Sequence, residues 1–94
     1  MQTVIETPAF LASAKETGID DEERAQIVAA IASHPLAGDI IPGSGGARKV
    51  RFAARGKGKS GGYRLITFYA ADDVPIFLLD VYAKSQRANL QRLI

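Results

Sequence analysis

Seven cationic side chains, Arg48, Lys49, Arg51, Arg55, Lys57, Lys59 and Arg64, fall within seventeen residues that contain no acid. With Tyr82 and Lys84 further on, they form a set suited to phosphate chemistry. Arginine and lysine neutralise the charge that builds on a phosphoryl group as it reacts. An RNA substrate brings its own nucleophile: once a proton leaves a 2′-hydroxyl, that oxygen can attack the adjacent phosphorus. The protein then supplies positioning, charge stabilisation and proton transfer. A tyrosine, or a lysine whose pKa is lowered by neighbouring cations, suits the last task. Tyr82 and Lys84 stand two apart, on one side of a strand that continues through both.

The rest of the composition narrows the alternatives. The 94 residues include no cysteine and a single histidine, His34. Disulfides, thiolate metal sites and a cysteine nucleophile are thereby excluded, and no histidine cluster exists to hold a metal. No cofactor is expected. No run approaches the roughly 18 apolar residues of a membrane span, and Met1-Gln2-Thr3 lacks the basic start of a signal peptide, so a cytoplasmic domain without membrane contact is expected. The net charge of +2 hides an asymmetry: up to Pro42 two basic residues face seven acidic ones, and afterwards ten face three. Such a split, −5 against +7, points to a polyanionic partner.

Elements to position these groups can be read from periodicity and punctuation. Val4-Ile5 suits a short strand. Thr7-Pro8 is a helix start, Phe10, Leu11 and Ala14 share a face, and Gly18 is the stop. A second helix is capped at Asp20, carries acids to Glu23 and an apolar stripe of Ile27, Val28, Ile31 and Ala32, and ends at His34-Pro35. Leu36 to Ala47 reads as a loop. The period then changes to two in Arg48–Phe52, Tyr63–Tyr69 and Ile76–Tyr82, three strands joined as antiparallel hairpins. Ser85 to Ile94 suits a short terminal helix. The whole predicts a single domain over residues 1–94, α+β and two-layered, with two N-terminal helices on a mainly antiparallel sheet whose other face stays open. Alternation places Lys49 and Arg51 on that open face.

Simpler motifs fail on spacing. Gly58-Lys59-Ser60 lacks the glycine five positions earlier that a phosphate loop needs, since Ala53 stands there, and a strand rather than a helix follows. His34 is read as a helix-end residue, and Asp20 to Glu23 as first-turn acids favoured by the helix dipole.

Several runs in order resemble a known family. Glu6-Thr7-Pro8-Ala9-Phe10, Ala37-Gly38-Asp39-Ile40-Ile41-Pro42-Gly43 with Gly45-Gly46, Arg48-Lys49-Val50-Arg51-Phe52, Gly56 through Arg64, and Tyr82-Ala83-Lys84 followed by Asn89-Leu90 are similar to the RelE/ParE superfamily of type II toxin–antitoxin toxins, and within it to the HigB-like branch. The resemblance implies a RelE-like fold and a ribosome-dependent endoribonuclease that cuts mRNA, inhibits translation and arrests growth. A cognate antitoxin, expected to be of helix-turn-helix type, neutralises it, and operator DNA is bound through the complex. On this reading Arg51 and Arg64 hold the scissile phosphate and Tyr82 or Lys84 moves protons. Arg48, Lys49, Arg55, Lys57 and Lys59 bind the RNA. The chain departs from the pattern at Ser85, where some members carry an arginine, and no tyrosine follows Tyr82, so the proton carrier stays open between Tyr82 and Lys84. It also ends ten residues after Lys84, short of relatives that continue into a further helix. A ParE-like poison of DNA gyrase, and a binding module for RNA or antitoxin without catalysis, are the competing readings.

Overall fold

A computed structural model of the chain describes residues 2–53 and 62–83. Among these the element order is β1 (Val4–Glu6), α1 (Pro8–Thr17), α2 (Asp21–Ser33), β2 (Asp39–Ile40), β3 (Ala47–Phe52), β4 (Tyr63–Phe68) and β5 (Ile76–Ala83). The strands form one sheet in the order β1-β5-β4-β3-β2, with β1 parallel to β5 and every other pair antiparallel. The helices contribute Phe10, Ala14, Ile27 and Ile31 to one core with Val50, Leu65, Ile76, Leu78 and Val81 of the sheet. This is the expected two-layer α+β arrangement, helices on one face.

Both helices begin where the capping residues dictate. The Thr7 hydroxyl accepts from the Phe10 N–H at 3.1 Å and donates to the Leu78 carbonyl at 2.7 Å, so one side chain caps α1 and fastens it to β5. Thr7→Ala is expected to cost about 1 kcal/mol, the usual value of a lost cap, and to lower the melting temperature by several degrees in a calorimetric scan. Gly18 ends α1 with φ +82°, a left-handed conformation that a side chain would oppose. Asp20 caps α2 through the Glu23 N–H at 2.8 Å. At the other end the residue is His34, as expected, but it is its backbone N–H that bonds to Ala30 and Ile31. Arg24 then bridges α2 to the edge strand, its Nε lying 2.6 Å from Glu6.

One segment differs from expectation. Within the stretch predicted as loop, Asp39–Ile40 pairs with Lys49 and Arg48 as a fifth strand. Two residues carry too little alternation to register as a strand, and tertiary bonds set them in place. Arg48 donates from Nη1 to the Leu36 and Gly38 carbonyls at 3.1 and 3.2 Å. Gly38, at φ +90°, lies so close to β3 that an added Cβ would meet the Lys49 carbonyl oxygen at 2.4 Å. Beyond β2, the Ser44 hydroxyl donates to the Ile41 carbonyl at 2.6 Å and accepts from the Ala47 N–H at 2.9 Å, which orders the turn into β3. The predicted terminal helix, Ser85 to Ile94, lies outside the described residues.

β5 contains an irregularity that bears on everything that follows. Thr67 pairs with Leu78 while its neighbour Ile66 pairs with Asp80, so Leu79 is an extra residue on β5. Leu78 and Val81 are both buried in the core, three positions apart. A strand of strict period two cannot do this; the bulge shifts the phase.

Candidate nucleic-acid interface

The face of the sheet away from the two helices is assembled by register. Arg51 on β3 stands opposite Arg64 on β4, and Arg64 stands opposite Tyr82 on β5. These three therefore form one row across three adjacent strands. Residues directly opposite each other in an antiparallel pair have their Cβ atoms about 5 Å apart, so the three side chains start from neighbouring positions on one face. The next row holds Asp39, Lys49, Ile66 and Asp80 on β2, β3, β4 and β5. Lys49 and Arg51 are exposed, Arg64 is half-buried and Tyr82 is buried. No His, Cys, Asp and Glu grouping that could hold a metal occurs among the described residues.

The inner face explains why this row is held firmly. Tyr63 and Leu65, which flank Arg64, are 7% and 0% exposed and point into the core, so the arginine is committed to the other side. Burial first, and then the neighbouring Glu23 carboxylate, hold the Tyr63 phenol above its ordinary pKa of 10.0. A raised value in the folded state means that the protonated phenol is the form folding favours. The stability it contributes is complete below about pH 10 and is lost as the pH rises through the raised value. Denaturant titrations between pH 8 and 11 should show that decline in the native chain and a smaller one in Tyr63→Phe.

Of the residues singled out from the sequence, the structure brings together Lys49, Arg51, Arg64 and Tyr82. Arg48 stands apart: it pairs with Thr67, whose side chain is buried on the helix side, and its guanidinium is engaged with the β2 turn. Arg55, Lys57, Lys59 and Lys84 lie outside the described residues. Sequence reasoning missed Asp39, Ile66 and Asp80 as members of this face. Asp39 was hidden in the apparent loop. Ile66 reads as one more strand hydrophobe, and Asp80 is set on this side by the bulge.

Beside the cationic row lies a groove of about 390 Å³, lined by Ile40, Ile41 and Pro42, by Ile66, Asp80 and Tyr82, and by Asp39 and Lys49, with Lys49 on β3 between Asp39 and Ile66. The arrangement sets two arginines opposite each other on adjacent strands, with a groove beside them. Compared with known families, residues 2–93 match the model described as RelE toxin of the RelE / RelB toxin-antitoxin system.

Proposed function

Since the chain belongs to the RelE toxin family, and is thereby a toxin of a toxin–antitoxin system with an antitoxin as its partner, we propose that it is a ribosome-dependent endoribonuclease that cuts mRNA through the 2′-hydroxyl. The observation that carries this reading is the row Arg51–Arg64–Tyr82 on the face of the sheet away from the helices.

In the proposed reaction Arg51 and Arg64 grip the non-bridging oxygens of the scissile phosphate. Their hold tightens as the 2′-oxygen adds to phosphorus and negative charge grows there. The 2′-hydroxyl proton passes to a base on the protein, the P–O5′ bond breaks, and the departing 5′-oxygen takes up a proton. The products are a 2′,3′-cyclic phosphate and a 5′-hydroxyl. Tyr82, opposite Arg64 in the sheet, is one candidate for these transfers, and Lys84, two residues on, is the other. Lys49, one row away, binds the neighbouring backbone phosphate, with Arg55, Lys57 and Lys59 adding charge that draws the strand in. The nucleophile belongs to the RNA, so positively charged groups and one proton carrier are a sufficient set.

The motif order supports placement in the HigB-like branch, whose antitoxins carry a helix-turn-helix; a small neighbouring gene of that kind is the corresponding expectation. The direct test is induction of the protein in cells, followed by mapping of mRNA ends on ribosomes. Growth arrest with cuts at codon-linked positions is the expected result. Arrest with intact mRNA and DNA-damage signalling would select a ParE-like action on gyrase instead.

A further inference from the structure

Among the described residues the sheet ends at β1 with an unpaired edge. In the parallel ladder to β5 the Ile76 N–H donates to the Thr3 carbonyl at 2.9 Å and the Thr7 N–H to the Leu78 carbonyl at 3.3 Å. These bonds fix the alternation: Thr3, Ile5 and Thr7 turn their backbone groups to β5. Val4 and Glu6 turn theirs outward, where no described backbone group meets them. Val4 packs on the core, so Ile5 stands on the face away from the helices. It is 39% exposed, although Phe77 beside it and Phe68 beyond make its row apolar. On the helix side a groove of about 500 Å³ follows the same edge, between Val4 and Glu6 of β1 and Ala25, Val28, Ala29 and Ala32 of α2. Those four recur at the spacing of one helix face, and Ala25 and Ala29 are exposed.

A short edge with an inward charge is a common guard against pairing. Here that charge is answered within the chain: Arg24 reaches Glu6 at 2.6 Å and Asp21 at 2.8 Å, so neither carboxylate arrives at the edge without a counter-charge. The strand itself is three residues long. Before it the Gln2 N–H donates to the Ala32 carbonyl at 3.1 Å, and after it Thr7 bonds to β5 and Pro8, without an N–H, opens α1. A long strand of a foreign chain would leave most of its backbone groups unanswered, whereas β1 of a second copy has the matching length. It also has the matching pattern. Turned by a two-fold axis through Ile5, Val4 faces Glu6 of the second copy, and each such pair exchanges both of its N–H···O bonds.

We propose that β1 is the pairing edge of a two-fold homodimer, in which β1 adds antiparallel to β1 of a second copy with Ile5 at the axis and the two α2 stripes close over the join. Small side chains on α2 let the helices approach closely. Ile5 gains an apolar neighbour, and the row Phe68–Phe77–Ile5 continues into its counterpart. The sheet becomes continuous across both copies and carries both cationic rows on one face. The surfaces are small beside a standard interface of roughly 800 Å² a side, so a dissociation constant on the order of 10 µM is expected.

Sedimentation equilibrium of the full chain from about 1 µM to about 1 mM brackets that value and should show monomer passing to dimer. Amide exchange locates the join: with rising concentration the Val4 and Glu6 amides should become protected, whereas the Ile5 amide, already bonded to β5, should change little. The chain has no cysteine, so Ile5→Cys introduces a single thiol. At the axis two such residues form a non-hydrogen-bonded pair with Cα atoms about 4.5 Å apart, within disulfide reach, and mild oxidation should give a covalent dimer. Ala12→Cys, exposed on α1, should not. Ala25→Glu leaves the core of the monomer untouched and sets like charges across the join, so association should weaken at least about tenfold while the circular dichroism stays native. A chain that remains monomeric at the highest concentration overturns the proposal and leaves the edge to a strand of another protein. A dimer that Ile5→Cys does not cross-link, or that Ala25→Glu leaves intact, overturns it equally. No RNA enters these measurements, so their outcome is independent of the nuclease reading.

Discussion

Arg64→Ala should lower the rate of RNA cleavage by about 10²–10³-fold, the loss usual when one donor to a developing oxyanion is removed. Arg64 lies at the centre of the row, opposite Arg51 on one side and Tyr82 on the other. Its removal would take from the proposed phosphate site the charge supplied by β4 and leave that of Arg51 on β3. Strand β4 itself should persist, since Tyr63 and Leu65 on either side keep their places in the core. The checks are single-turnover cleavage on programmed ribosomes, growth after induction, and thermal unfolding of the same variant. Cleavage at the native rate would remove Arg64 from the mechanism. Arg64→Lys separates charge from geometry: a lysine restores the charge but not the two-pronged grip, so only part of the rate should return.

Leu65→Ala, one residue away, should do the reverse. Leu65 is 0% exposed and meets Val50 on β3 and Val81 on β5 at directly opposite positions of the sheet. Truncating a buried leucine costs about 2–5 kcal/mol through lost transfer energy and the cavity left behind. A domain of this length has a total stability on the order of 5–15 kcal/mol, so a large share of it is at stake. The measurement is a urea unfolding curve, in which the midpoint should fall sharply. At temperatures where the variant stays folded, cleavage per folded molecule should stay close to native. The two substitutions thus divide the roles of adjacent residues on opposite faces of one strand.

Much of this could be read without coordinates, because the deciding forces are local. Thr7-Pro8 and Gly18 bound α1, Asp20 and His34 bound α2, and each works through bonds within a few residues. The alternation of Lys49 and Arg51 against Val50 and Phe52 needed only the period of a strand. The bond pairing of distant segments was not legible. β2 is two residues long, and Arg48 and the close approach of Gly38 hold it against β3. Arg48, counted from composition among the RNA-facing cations, is spent in the structure on two carbonyls of that turn.

The sequence by itself determined the two capped helices, the alternating strands, the concentration of positive charge after Pro42 and the absence of cysteine, and with them a two-layer domain suited to a polyanion. Only the tertiary structure decided which of those charges stand together. The clearest case is β5. By strict alternation Ile76, Leu78, Asp80 and Tyr82 share one face, and the first two are wholly buried in the core. Followed literally, that pattern would drive Asp80 and Tyr82 inward beneath the helices. The extra residue Leu79 shifts the pairing by one, sends Val81 to the core in their place, and turns Asp80 and Tyr82 toward Ile66 and Arg64. The reason is energetic: Val81 buries apolar area opposite Leu65, whereas a carboxylate there would lose its water without a partner.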